Sequence, residues 1–188
     1  LDRLVTRNIN ICKVGQVMYT PWCDEDGKQI DDGTVQRLSE HKFRITSAEP
    51  NLEWIECNAA GMDLSILDDS HATAALAIQG PNSRTILNAV TNDSLNNLKF
   101  FWMMDTQFGD IPVSISRTGY TGDLGYEIWM KSGDALSVWD LLMDKGNPFG
   151  ITPTGLQALD MARIEAGLIL LDVDYISSRH AIVESRKS

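Results

Sequence analysis

Three groups of residues have types and spacings that suit chemistry. The first is Ile30-Asp31-Asp32-Gly33. Two adjacent carboxylates in an apolar-flanked strand are costly if both are buried. Strand alternation sends them to opposite faces, so one can be solvated while the other looks into a cleft. A carboxylate in a cleft can take a proton, hold a donor or stabilise a developing cation. The same residues also read as a turn carrying two solvated acids. The second group runs from Arg117 to Trp129, with glycines at 119, 122 and 125 that predict a pliable loop between two strands. The spacing is not that of the dinucleotide fingerprint, and no helix follows immediately. On the strand after the loop, Leu124, Tyr126, Ile128 and Met130 share one face and Glu127 and Trp129 the other. A carboxylate beside an indole makes a wall for a flat heterocycle with N–H donors; an ordinary solvent-facing glutamate is the alternative. The third is Arg163, which helical spacing puts among Leu156, Leu159 and Ala166. Its guanidinium cannot shed its charge and needs a carboxylate. Asp160, three residues earlier, is one candidate; a ligand carboxylate or an acid from another strand is the alternative.

The elements that position these groups are legible along the chain. Val14 to Thr20 is strand-like, Asp24-Glu25-Asp26-Gly27 is a turn signal, and Gln29 to Leu38 is the return strand, interrupted at Asp31-Asp32-Gly33. Lys42 to Thr46 alternates, and Trp54 to Cys57 is a further strand candidate. After a composition shift near Asp68-Asp69-Ser70, Ala72 to Ile78 reads as a buried strand, and Pro81 suits the first turn of a helix running to about Val90. Phe100 to Gln107 and Ile111 to Thr118 read as a hairpin, Leu124 to Met130 as a strand, and Gly133 to Lys145 as an amphipathic helix. Thr154 to Ala166 is the strongest helix, with a Thr154-x-x-Gln157 capping box and Gly167 as its stop. This order predicts an α+β fold of antiparallel sheets with helices packed on one face and ferredoxin-like elements. Residues 1–70 form a β-rich subdomain with the Asp-Asp motif, and residues 71–188 an α+β subdomain with the glycine-spaced loop and the Arg163 helix.

Composition narrows the function. The 188 residues carry 16 Lys plus Arg against 26 Asp plus Glu, a formal net charge of −10. That disfavours general nucleic-acid binding and anionic membranes, which both demand a basic surface. No apolar run is long enough to span a bilayer. Cys12, Cys23 and Cys57 form no C-x-x-C pair, and His41, His71 and His180 are scattered, so a metal site and Cys–His chemistry are disfavoured. A cytosol-like reducing compartment, hence cytoplasmic, is the expectation.

Four stretches, in this order and spacing, resemble the aminomethyltransferase superfamily, whose namesake is the glycine-cleavage T-protein. They are Ile30-Asp31-Asp32, Leu76 to Arg84 (LAIQGPNSR), Arg117 to Ile128 (RTGYTGDLGYEI) and Gly155 to Gly167 (GLQALDMARIEAG). The resemblance implies a tetrahydrofolate site and one-carbon transfer to folate, and for a eukaryote the mitochondrial matrix. Asp32 matches the family's catalytic aspartate, Glu127 the carboxylate that holds the pterin edge, Tyr120 a pocket aromatic, and Arg163 an arginine of the folate-binding region. Tyr19 is a further candidate aromatic, and Trp129 a further candidate for the cofactor-binding wall. Asp32, Glu127 and Arg163 are expected to converge on a shared cavity. The donor is a small methyl or amine compound, or an aminomethyl group on a lipoyl carrier protein. The family's length implies that this chain is an internal piece, with an N-terminal segment and a C-terminal β-barrel domain outside it.

Two departures bear on the donor. Tyr19 to Lys28 stands where T-proteins read N-E-x-G-G, and Leu170-Leu171-Asp172-Val173-Asp174 replaces a Y-G-x-D segment. Both tilt the expectation from the glycine-cleavage substrate toward another methyl or amine donor, with a tetrahydrofolate-dependent O-, S- or N-demethylase as the alternative to an aminomethyltransferase. The non-enzyme alternative is a folate-binding scaffold like the iron–sulfur maturation branch, whose K-G-C-Y-x-G-Q-E motif is not found here.

Overall fold

The computed structural model describes residues 1–180. They divide into two units: Leu1–Asp68 with the described part of Ile169–Ser188, and Asp69–Leu168. The sequence reading assigns everything beyond residue 70 to the second unit, but the chain from Ile169 groups with the first. Hydrogen bonds hold it there: Ser177 Oγ donates to the Ile30 carbonyl (2.6 Å) and the Ser178 amide to the Gln29 carbonyl (2.9 Å).

The first unit is built on a three-stranded antiparallel sheet, β1 (Val17–Cys23), β2 (Gln29–Arg37) and β3 (Phe43–Ile45), in the order β1-β2-β3. The Asp24–Gly27 turn joins β1 to β2 as the sequence predicts, with Gly27 at φ +78°. β2 runs unbroken through Asp31-Asp32-Gly33, which is therefore not a turn. β3 pairs only with Val35–Arg37, so it covers one end of β2. The core of this unit is small: Ile9, Cys12, Met18 and Val35, with Phe43 and Ile45 against it. Trp54 to Cys57 lies in a short helix, α1 (Leu52–Asn58), rather than a strand. A four-residue apolar run does not distinguish the two, and Pro50 just before it breaks the extended chain.

Buried polarity organises the motif strand. Asp31 is fully buried, and its carboxylate accepts from the Asp32 amide (2.7 Å), the Glu49 amide (3.1 Å) and Asn51 Nδ2 (2.6 Å). Asn51 in turn accepts from Trp22 Nε1 (3.4 Å) and from Arg179. One acid of the pair is thus a structural acceptor that fixes the chain from Ser47 to Asn51. Gly33 is a point of close backbone approach, since a Cβ there would lie 1.8 Å from the Thr46 carbonyl oxygen.

The second unit is a four-stranded antiparallel sheet, β4 (Thr73–Gln79), β5 (Met103–Phe108), β6 (Ile111–Ser116) and β7 (Gly125–Lys131), in the order β4-β7-β6-β5. Helices α2 (Ser83–Asn88) and α3 (Ala135–Gly146) cover one face. Ile86 and Leu87 from α2 and Val138 and Leu142 from α3 pack with Tyr126, Ile128 and Met130 of β7. That is the alternation read from the sequence, and the fold is α+β with helices on one face. β4 is the outer strand and only its Ile78 is buried, so its apolar run is not the fully enclosed strand expected. The last helix, α4 (Leu156–Glu165), starts at Gly155 without a side-chain cap, so the Thr154 capping box does not form. Its stop does form: Gly167 sits at φ +74° and the Leu168 amide bonds back to the Arg163 carbonyl (2.8 Å). Among the described residues, no helix is long and apolar enough to cross a membrane.

Gly33→Ala forces a methyl into the Thr46 backbone and is expected to cost about 1–3 kcal/mol or more in a denaturant titration. An unchanged midpoint would show that the approach is not constrained. Asp31→Asn puts an amide among three N–H donors and is expected to lose about 1–3 kcal/mol, with a matching fall in thermal midpoint.

Candidate functional site

In the second unit the glycine-spaced segment joins β6 to β7, and Gln79 at the end of β4 organises it. Gln79 Nε2 donates to the Tyr126 carbonyl (3.1 Å) and the Thr118 carbonyl (3.5 Å), and its Oε1 accepts from Thr121 Oγ1 (3.2 Å). A Cβ at Gly119 or Gly125 would come within 2.0 or 1.8 Å of that Oε1. The glycines therefore make room for an amide that ties both ends of the loop together. Gly119 and Gly125 thus supply space for that amide, while Gly122 takes φ +73°, a left-handed conformation that glycine adopts freely.

Across β6 and β7, Ser116 stands opposite Glu127 and Ser114 opposite Trp129. Trp129 Nε1 donates to Ser116 Oγ (3.2 Å), Ser116 Oγ and Thr118 Oγ1 are 2.7 Å apart, and Thr118 Oγ1 donates to Glu127 Oε2 (2.5 Å). The indole can only donate and a carboxylate accepts, so the proton order is set along the row: Trp129 to Ser116 to Thr118 to Glu127. Chains of this kind polarise one another. Ser116 and Thr118 are buried, while Glu127 and Trp129 are half-buried on the face away from the core. Among the described residues, Glu127 Oε1 accepts no hydrogen bond. The unit thus presents a carboxylate with one oxygen fixed and the other available, next to an indole. Tyr120 lies half-buried in the same segment.

Arg163 is 2% exposed on α4. Its Nε and Nη2 lie 2.8 and 2.7 Å from Asp160 Oδ1, and Nη1 donates to the Leu168 carbonyl (3.1 Å). Of the partners the sequence left open, Asp160 is present, and the guanidinium also closes the C-terminal end of its helix. α4 lies against the glycine segment, where a Cβ at Gly122 would be 2.6 Å from the Ala166 Cβ.

In the first unit Asp32 takes the face opposite to Asp31 and is half-buried. It pairs with Pro21, and Thr34 with Tyr19, so Tyr19 and Asp32 share a sheet face. Tyr19 is 40% exposed there. The Tyr175 hydroxyl donates to Asp32 Oδ1 (2.8 Å) and accepts from Gln29 Nε2 (2.5 Å), which lies 3.4 Å from the same oxygen. Burial pushes the Tyr175 phenol far above its ordinary value, and its bond to the Asp32 carboxylate adds to the shift. Gln29 and Tyr175 were missed by the sequence reading. The spacing between 32 and 175 carries no signal; only the β2 carbonyls that capture Ser177 and Ser178 bring them together. Thr118 and Gln79 were quoted within motifs without a role, since neither is unusual until its partner is known.

Among the described residues no cluster of His, Cys, Asp and Glu is arranged to hold a metal ion. Each unit by itself presents an acceptor carboxylate with one oxygen held by a hydroxyl: Asp32 by Tyr175 in the first, Glu127 by Thr118 in the second.

Comparisons with known proteins bear on the family and the fold. The aminomethyltransferase of Halothermothrix orenii is 38% identical over 186 residues, covering 97% of this chain and 52% of that protein. The trimethylamine-oxide aldolase of Ruegeria pomeroyi is 42% identical over 183 residues, covering 92% of this chain and 23% of that protein. The chain therefore spans about half the length of the aminomethyltransferases it matches, and less of the aldolase. Among solved structures, the glycine cleavage system aminomethyltransferase T from Bartonella henselae superposes with a TM-score of 0.74 at 27% identity, over 89% of this chain and 45% of that one. A heterotetrameric sarcosine oxidase from Corynebacterium sp. U-96 shares the fold at a TM-score of 0.58 and 21% identity, over 77% of this chain and 70% of that one. The family model described as the GCVT N-terminal domain matches residues 1–184. With nearly the whole chain matched, the chain belongs to the GCVT N-terminal domain family, that of the aminomethyltransferases.

Proposed function

We propose that this protein is a tetrahydrofolate-dependent one-carbon transferase that moves an aminomethyl or methyl group onto the folate. The observation that carries this reading is Glu127, held by Thr118 at one oxygen and open at the other on the strand of the glycine motif. The edge of a pterin offers N–H donors, and a half-buried carboxylate with a fixed orientation is their natural acceptor. The indole of Trp129 on the same strand face and the ring of Tyr120 supply flat apolar walls. The residues present therefore fit a folate. When bound, the folate supplies the nitrogen that takes the carbon. Glu127 orients the ring system, and the ordered row from Trp129 to Thr118 keeps Glu127 an acceptor. Asp32 is the acid that manages a proton or stabilises cationic character on the carbon in transit. Arg163, engaged with Asp160 and the Leu168 carbonyl, shapes the end of α4 beside the glycine segment rather than offering a free charge.

For the donor, we favour a methylated amine over an aminomethyl group on a lipoyl carrier protein. The support is the likeness at 42% identity to a trimethylamine-oxide aldolase, together with a β1–β2 turn and a segment after α4 that depart from the T-protein pattern.

In the complete protein, Glu127→Ala is expected to weaken tetrahydrofolate binding about 10- to 100-fold by calorimetric titration, the loss of one or two charge-assisted hydrogen bonds. Asp32→Ala is expected to leave that affinity within about threefold while lowering turnover by about 10²–10⁴. Equal affinities and equal turnover in both variants would sink the reading. Binding without turnover in the wild-type protein would favour a folate-binding scaffold instead.

A further inference from the structure

The contacts around Asp32 assign roles to two side chains outside the family motifs. We infer that Tyr175 and Gln29 are positioning residues that hold the Asp32 carboxylate by Oδ1 and leave Oδ2 to act. This rests on the reading of Asp32 as the acid of the one-carbon step.

The geometry is a closed triangle. Tyr175 Oη is 2.8 Å from Asp32 Oδ1, Gln29 Nε2 is 2.5 Å from Tyr175 Oη, and the same amide nitrogen is 3.4 Å from Oδ1. The phenol has one proton, which goes to the carboxylate, so it can only accept from Gln29. Gln29 must therefore present its NH₂ to both oxygens, and the orientation of every group follows. Among the described residues Oδ2 of Asp32 accepts no hydrogen bond. A single hinge at Cβ–Cγ would let a free carboxylate rotate and exchange its oxygens. Two donors on one oxygen remove that freedom, which is what a reacting acid needs when its partner atom must stay within a few tenths of an ångström.

Tyr175 is itself held on a stiff support. The Asp172 amide donates to the Tyr175 carbonyl (2.7 Å), Leu171 and Tyr175 form a bridge, and Asp172 takes φ +58°. Asp172 accepts the Ser177 amide (3.0 Å) and pairs with His180 (2.6 Å), while Ser177 and Ser178 bond to β2 at Ile30 and Gln29. The raised ionisation of the phenol means that it stays a donor through neutral and mildly alkaline pH, and cannot act as a base there. The linkage has a definite sign. The folded protein keeps a proton that the unfolded chain releases near pH 10.0, so this stabilisation is complete below that pH and is lost as pH rises beyond it.

The test is a double-mutant cycle in the complete protein. Tyr175→Phe removes the donor and keeps the ring. It is expected to lower kcat about 10- to 100-fold with the tetrahydrofolate KM unchanged. In an Asp32→Ala background the same change is expected to cost nothing further, because its effect runs only through Asp32. Wild-type kcat in Tyr175→Phe, or losses that multiply in the double variant, would overturn the inference while leaving the folate reading intact. If the wild-type protein shows no folate-dependent turnover, that reading fails, and the spectrophotometric titration of the phenol then decides. Asp32→Asn is expected to move the Tyr175 ionisation, identified by its absence in Tyr175→Phe, to lower pH; an unmoved titration overturns the coupling.

Discussion

A carboxylate with no access to water must find donors for both of its oxygens, and Asp31 meets that demand with two backbone amides and the side-chain amide of Asn51. Much of the first unit follows. The chain from Ser47 to Asn51 is pinned to β2, Asn51 is passed on to Trp22 and Arg179, and β2 cannot slip in register without exposing or orphaning the acid. Because strand side chains alternate, burying Asp31 obliges Asp32 to face the other way, on the side of Tyr19 and Tyr175. The acid pair is one device with two halves: an anchor and, under the proposed function, a working group.

The second unit solves a related problem by directing protons. Glu127 is on a strand whose alternate residues are fully buried, so its own exposure is fixed by Tyr126 and Ile128 on either side. A buried serine and threonine then carry a donor sense from the Trp129 indole to one carboxylate oxygen. Gln79 holds the two ends of the connecting segment at a spacing that neither strand pairing nor loop length would enforce. Small residues at 119 and 125 are the steric condition for that amide to enter.

What could be read from the chain was whatever periodicity or local spacing encodes. The faces of β7, the division of Asp31 from Asp32, the Arg163–Asp160 pair and the Gly167 stop all follow from positions within a few residues of one another. Tyr175 and Gln29, 146 residues apart, do not. Their meeting depends on Ser177 and Ser178 finding carbonyls on β2, for which no pattern exists. The glycine-spaced segment was legible only in part: glycine signals either freedom or a close neighbour, and only the position of Gln79 shows that Gly119 and Gly125 are the latter. Trp54 to Cys57 was too short for its period to be judged, and Thr154 lost its capping role because the N-cap falls one residue later, at Gly155.

The shortness of β3 has a consequence for solubility. Beyond Val35 the flank of β2 is covered by the chain's own segments instead, beginning with the Thr46 amide on the Thr34 carbonyl (2.9 Å). Ser177 and Ser178 occupy the Ile30 and Gln29 carbonyls, so the segment that delivers a phenol to Asp32 also blunts this flank against intermolecular β-pairing. Loosening it would cost the protein colloidal behaviour as well as an aligned acid.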